Sequence, residues 1–116
     1  MKSILGLVAA FSLSFSVFAA DCNEAISKDR FDGLYENIEA QHNDQQRYRL
    51  ILAFSNRECI SVAQMTEFLS LITDHKIKFS TVKDSYNLLF DLENRTLLLA
   101  EFSEHEQTLI NKEISK

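Results

Sequence analysis

The sequence predicts an all-α domain: a compact bundle of five or six short helices held by one disulfide, with stacked helix pairs as one arrangement open to it. Three observations carry this expectation. Apolar residues recur at spacings of three and four rather than two, the pattern that buries one side of a helix. Cap residues fall at regular joints between those stretches. There are no prolines and only two glycines in 116 residues, which excludes collagen-like, Pro-rich and Gly-rich classes. One domain fits this length, because two would each be too small to bury a stable core.

The first element is an address. Residues 1–19 open with one base, Lys2, continue through an apolar stretch from Ile4 to Phe18 and end in small residues. This is the composition of a cleaved signal peptide, with Val17 and Ala19 set for cleavage after Ala19 and Ala20 offering a second position. The stretch is short, and serines break it up, so it does not suit a membrane span of roughly 20 strongly apolar residues. Residues 20–116 are then a single helical domain that is periplasmic or extracellular and does not engage the membrane once the leader is gone. Lys2 leaves with the leader, so 11 basic residues face 17 acidic ones and the net charge is −6.

Six helices are expected, at about 30–40, 44–56, 62–72, 75–90, 93–102 and 104–114. In the first, Phe31, Leu34, Tyr35 and Ile38 share one face behind a cap at Asp29. In the second, Tyr48, Ile51 and Leu52 do so behind Asn43 or Asp44. The third has the clearest stripe, Val62, Met65, Phe68, Leu69 and Ile72. It opens with the capping box Ser61-Val62-Ala63-Gln64, in which the serine hydroxyl serves the amide three residues on and the glutamine reaches back. Phe79, Val82, Tyr86 and Leu89 mark the fourth. Leu98, Leu99 and Phe102 mark the fifth, started by Asp91 or Glu93. Ser103 and Glu106 repeat the capping box at the sixth. The Leu97–Leu99 run is too short to carry a sheet. Linkers of two to four residues would place consecutive helices side by side. Cap starts recur about every 30 residues, a faint repeat of the kind stacked helix pairs produce.

Cys22 and Cys59 are the only cysteines. In an oxidising compartment they are expected to pair, tying the new N-terminus to the start of the third helix. No Cys-x-x-Cys or His-Glu-x-x-His spacing is present, so neither a catalytic thiol nor a zinc site is expected.

Phe31-x-x-Leu34-x-x-x-Ile38, Cys59-Ile60-Ser61-x-x-Gln64-Met65, Lys83-x-x-Tyr86, Asp91-x-x-Asn94 and Phe102 together resemble the pattern of a small exported family, the domain of unknown function 4476. The resemblance covers roughly residues 29–114. It implies a wholly helical fold with short connections, and no reaction, ligand or catalytic residue. Ile72 to Ile77 is two residues longer than the family's usual turn before its fourth helix.

No catalytic residue, metal or cofactor is expected. His42, His75 and His105 sit near helix starts, where exposed imidazoles are common, and a site using His75 with Asp74 would ask two sequence neighbours to face one ion. The run from Asp91 resembles a calcium loop but has Thr96 where glycine is needed and Phe102 at the twelfth position. Asn94-Arg95-Thr96 is a glycosylation triplet inside an expected helix. Paired acids such as Glu36 with Glu39, and Glu101 with Glu104 and Glu106, would serve a small carboxylate-dependent hydrolase only across a cleft.

The acidic balance disfavours nucleic acid, which needs an excess of Lys and Arg. The preferred expectation is a non-enzymatic module that binds a protein partner, and a basic one by charge complementarity. A specific form is an immunity or inhibitor protein against a basic secreted toxin or cell-wall enzyme. Arg47, Tyr48 and Arg49 are the candidate contact residues, being of types enriched at interface hot spots. The oligomeric state is not set by the pattern.

Overall fold

A computed structural model describes residues 22–112. The expected signal peptide and its cleavage position lie outside the described residues. Five α-helices, α1 (Lys28–Glu39), α2 (Asp44–Arg57), α3 (Val62–Leu69), α4 (His75–Ser85) and α5 (Glu104–Asn111), are joined by a 3-10 helix, Leu92–Leu99, between α4 and α5. No strand occurs among the described residues.

Each α-helix begins with a side-chain cap, because the first amides of a helix have no partner of their own. Ser27 receives the Arg30 amide, Asn43 that of Gln46 and Asp74 that of Ile77. Ser61 and Ser103 form complete capping boxes with Gln64 and Glu106. The first cap corrects the sequence expectation: Asp29 lies inside the first turn, and Ser27 does the capping two residues earlier. The acid at Asp29 still suits the positive end of the helix.

α3 and α4 are shorter than expected. After Leu69 the chain tightens into three-residue turns, with the Leu71 and Ile72 amides bonding to Phe68 and Leu69. Ile72 is thereby buried without being helical. α4 likewise gives way after Ser85 to a turn that still buries Tyr86 and Leu89. The linkers consequently run to four to six residues.

Most of the expected stripes form the core; α2 differs, burying Ile51 and Phe54 while Tyr48 and Leu52 stay half-buried. Phe31, Leu34 and Ile38 of α1 meet Ile51 and Phe54 of α2, Met65, Phe68 and Leu69 of α3 and Val82 of α4. Phe31 stacks on Phe68 with ring centroids 4.9 Å apart. The most extensive packing joins α2 to α4, which are not consecutive, so the bundle is more interleaved than a simple stack of sequential pairs.

Cys22 and Cys59 are bonded, with Cα atoms 5.6 Å apart, within the range a bridge requires. The disulfide is the covalent part of a clasp built on residues 59–64, where three stretches of chain meet. The Ile26 amide donates to the Cys59 carbonyl at 3.0 Å, and the Phe90 amide to the Ile60 carbonyl at 2.8 Å. Gln64 accepts from the Ser61 amide and donates to the Ile26 carbonyl. Ile60, wholly buried, sits at the centre.

Gly33 lies mid-helix on the outward side of α1, with no positive φ and nothing within 4 Å of where a Cβ would stand. It therefore carries the entropic cost of glycine without a conformational or packing reason. Gly33→Ala is expected to stabilise the fold by about 0.5–1 kcal/mol, read as a higher urea midpoint at unchanged slope. An equal or lower midpoint would show that this face of α1 is not open.

Candidate functional site

The most strongly held carboxylates do architectural work. The Asp91 carbonyl accepts from the Asn94 amide, but its side chain does not cap the 3-10 helix that it precedes. Its Oδ1 instead accepts from the Val62 amide at 2.8 Å, 29 residues back, and its Oδ2 accepts from the Asn94 side chain. Asp91 thus caps the first amide of α3 beside the Ser61 box. Asp44 plays a similar part at the start of α4: its Oδ2 accepts from the Thr73 amide and hydroxyl and from the Asp74 amide, while Oδ1 pairs with Arg47 at 2.8 Å. Glu106 accepts from the Ser103 amide and meets His75 Nε2 at 2.9 Å, linking α5 to the start of α4.

These contacts set the direction of three pKa shifts. Burial pushes Asp44 up, but the Asp74 amide, Arg47 and Thr73 outweigh it, and the net shift is down. Asp91 moves down in the same way, its burial outweighed by Asn94 and the Val62 amide. The Ser103 amide is the main cause that lowers Glu106; burial opposes it, and His75 and the Ser103 side chain add to the net downward shift. A lowered carboxyl stabilises the fold above its unfolded pKa, and that contribution is lost as pH falls through the folded value. A catalytic general acid needs the opposite shift.

The candidate contact residues Arg47, Tyr48 and Arg49 point in three directions, as consecutive helical residues must. Arg47 is 22% exposed in its side chain and is held by Asp44 and by the Gln41 carbonyl. The Tyr48 hydroxyl donates to Asp84, tying α2 to α4. Arg49 is exposed and borders a shallow depression with Gln46, Leu50 and Ala53. His42 and His105 are exposed. His75 is 53% exposed, yet it is engaged by Glu106 and lies 5.3 Å from the Phe102 ring. Asp74 is occupied as the α4 cap. No group of three potential metal ligands occurs among the described residues.

One surface feature escaped the sequence reading. The segment expected as an α-helix at 93–102 is a 3-10 helix over Leu92–Leu99. With three residues per turn, Leu92, Arg95 and Leu98 share one edge, and Asn94, Leu97 and Ala100 another. Arg95 lies 4.7 Å over the Tyr86 ring and donates to the Tyr86 carbonyl and the Asn87 side chain. This anchors the edge inward at Arg95 and Leu98, while Leu92 at its start stays exposed. Leu98 and Leu99 are buried, and the edge of Leu97 is turned to solvent. Leu97 is 70% exposed and Leu92 45%, the two large apolar residues exposed among the described ones. Leu97 borders a groove of about 250 Å³ between the 3-10 helix, α3 and α4, with Leu69 and Leu98 in its wall and the Lys78–Glu101 pair at its edge. Three consecutive leucines were the available signal: they cannot all face one side of any helix.

No family model, curated protein or solved structure matches the chain. Among the described residues no helix is long and apolar enough to cross a membrane.

Two outcomes test this assignment of roles. Asp91→Ala, which orphans the Val62 amide, is expected to cost about 1–2 kcal/mol. Glu93→Ala, exposed on the same segment, should stay within about 0.5 kcal/mol. Equal urea midpoints for the two would remove the capping role. At the alkaline end, the hydrogen bond to Asp84, with burial, pushes the Tyr48 phenol up to about 12. Its contribution is complete below about pH 10, the ordinary tyrosine value, and is lost as pH rises through the folded one. The stability difference between wild type and Tyr48→Phe should therefore shrink between those limits, and a constant difference would contradict the bond.

Proposed function

We propose that the chain is an exported, non-enzymatic protein-binding module whose outer surface meets a basic protein. The observation that carries this reading is Leu97, left 70% exposed in a segment whose neighbouring leucines are buried. Covering such a side chain returns about 1.5–3 kcal/mol, and the exposed acids Glu93, Glu101 and Glu104 lie within seven residues of it along the chain. The downward shifts of Asp44, Asp91 and Glu106 support structural rather than proton-donating work for those carboxylates. The disulfide and the leader-like composition of residues 1–19 support export. An immunity or inhibitor protein against a basic secreted toxin or cell-wall enzyme is the specific form of this reading. Membership of the domain of unknown function 4476 is compatible with it and adds no reaction.

The test is capture by the tagged protein from periplasmic extract. A basic protein is expected to be retained at low salt and released as salt rises, since exposed charge pairs are screened. It should lose activity when the purified module is added. Nothing retained at low salt would sink the reading.

A further inference from the structure

We infer that the groove beside Leu97 is the docking surface, and that its occupant is a basic amphipathic helix of the partner protein, seated by one large apolar side chain. This rests on the protein-binding reading above and gives it a place and a chemistry.

The exposed apolar surface is local. Leu92 and Leu97 both belong to the 3-10 helix, and the groove that Leu97 borders is walled by Leu69 and Leu98. At about 250 Å³ it has room for a leucine or phenylalanine side chain. Leu69, Leu97, Leu98 and Ala100 form its apolar part beside Thr66, Ser70 and the Lys78–Glu101 pair, and an amphipathic helix docks on such a surface through its apolar face.

The charge of the segment selects the occupant. From Asp91 to Glu106 there are five acids and one arginine. Arg95 is folded over Tyr86, so its charge is turned toward the core. Asp91 and Glu106 are held by amides of helix starts. Glu93, Glu101 and Glu104 remain exposed, before and after Leu97 along the chain. Lys78, the base at the groove, is only 19% exposed and is paired with Glu101 at 3.3 Å, while that glutamate keeps more than half its side chain open. An approaching helix therefore meets Leu97 with exposed Glu93 four residues before it and Glu101, shared with Lys78, four residues after it. Lysines or arginines beside its apolar anchor are complementary, whereas a second copy of this segment would bring acid against acid. The depression beside Arg49 has the opposite sign and a more open form.

The experiment uses the oxidised full chain, a short synthetic helix of leucine and lysine, and the same helix with glutamate in place of lysine. Binding of the leucine–lysine helix is expected to shift the amides of Leu69, Leu97, Ala100 and Glu101 in NMR spectra and to weaken with salt. The glutamate helix should not bind. Leu97→Ser should weaken binding about tenfold or more, the loss expected for one leucine contact, with its urea midpoint unchanged because Leu97 packs little in the free protein. Glu101→Gln should bind more weakly and with a shallower salt dependence.

Shifts that map elsewhere, with Leu97→Ser binding like wild type, would overturn the surface and leave a basic-partner reading standing. Equal binding of both helices would overturn the charge argument. Sedimentation showing a dimer that Leu97→Ser dissolves would assign the groove to a second copy. No binding of either helix would remove the docking proposal, while capture of a basic partner judges the broader reading separately.

Discussion

The structure depends on the clasp at residues 59–64. Three distant stretches of chain converge there: Cys22 to Ile26, the start of α3, and Phe90 with Asp91. The disulfide closes a loop of 37 residues, a constraint on the unfolded chain of about 4 kcal/mol in the loop-entropy picture. Backbone bonds from Ile26 and Phe90 flank buried Ile60, and Asp91 and Ser61 satisfy amides at the head of α3. Each hydrogen bond alone is worth only about 1 kcal/mol. They act together because the covalent link has already brought the partners close.

Short helices make such devices necessary. α3 and α5 have eight residues each, well below the roughly 12–15 at which an isolated helix becomes even marginal in water. Such helices persist by burying an apolar face and by having their end groups satisfied. Acids suit this task, because a carboxylate at a helix start meets both free amides and the positive end of the helix dipole. Asp44 and Asp91 extend the device across the tertiary structure, each serving the start of a helix about thirty residues away in sequence. Part of the protein's acidity is therefore architectural.

Most of the remaining acids among the described residues are exposed, and along the 3-10 segment they lie near the exposed leucines in sequence. Anchoring one edge of that helix inward, through Arg95 and Leu98, turns Leu97 outward. The same packing that completes the core thus creates an apolar contact point. In this account recognition belongs to a surface held rigid by the clasp and by Arg95 rather than to an enclosed cavity.

Much of the fold was legible in the sequence because its signals are local. Capping boxes act over three residues, apolar stripes over one or two helical turns, and a lone pair of cysteines in an oxidising setting has one intramolecular partner choice. Thus Ser61 with Gln64, Ser103 with Glu106, the core stripes and Cys22–Cys59 could all be read directly. The rest was set by contacts between residues far apart in the chain. No spacing rule connects Asp91 to Val62, Tyr48 to Asp84 or His75 to Glu106. Periodicity could not choose between α and 3-10 geometry at Leu92–Leu99, since that depended on where Tyr86 waited for Arg95. It follows that the sequence by itself determined an acidic, disulfide-linked helical domain. Only the tertiary structure decided which leucine stayed outside and which acids stayed free, because each answer depends on what the packed neighbours had already covered.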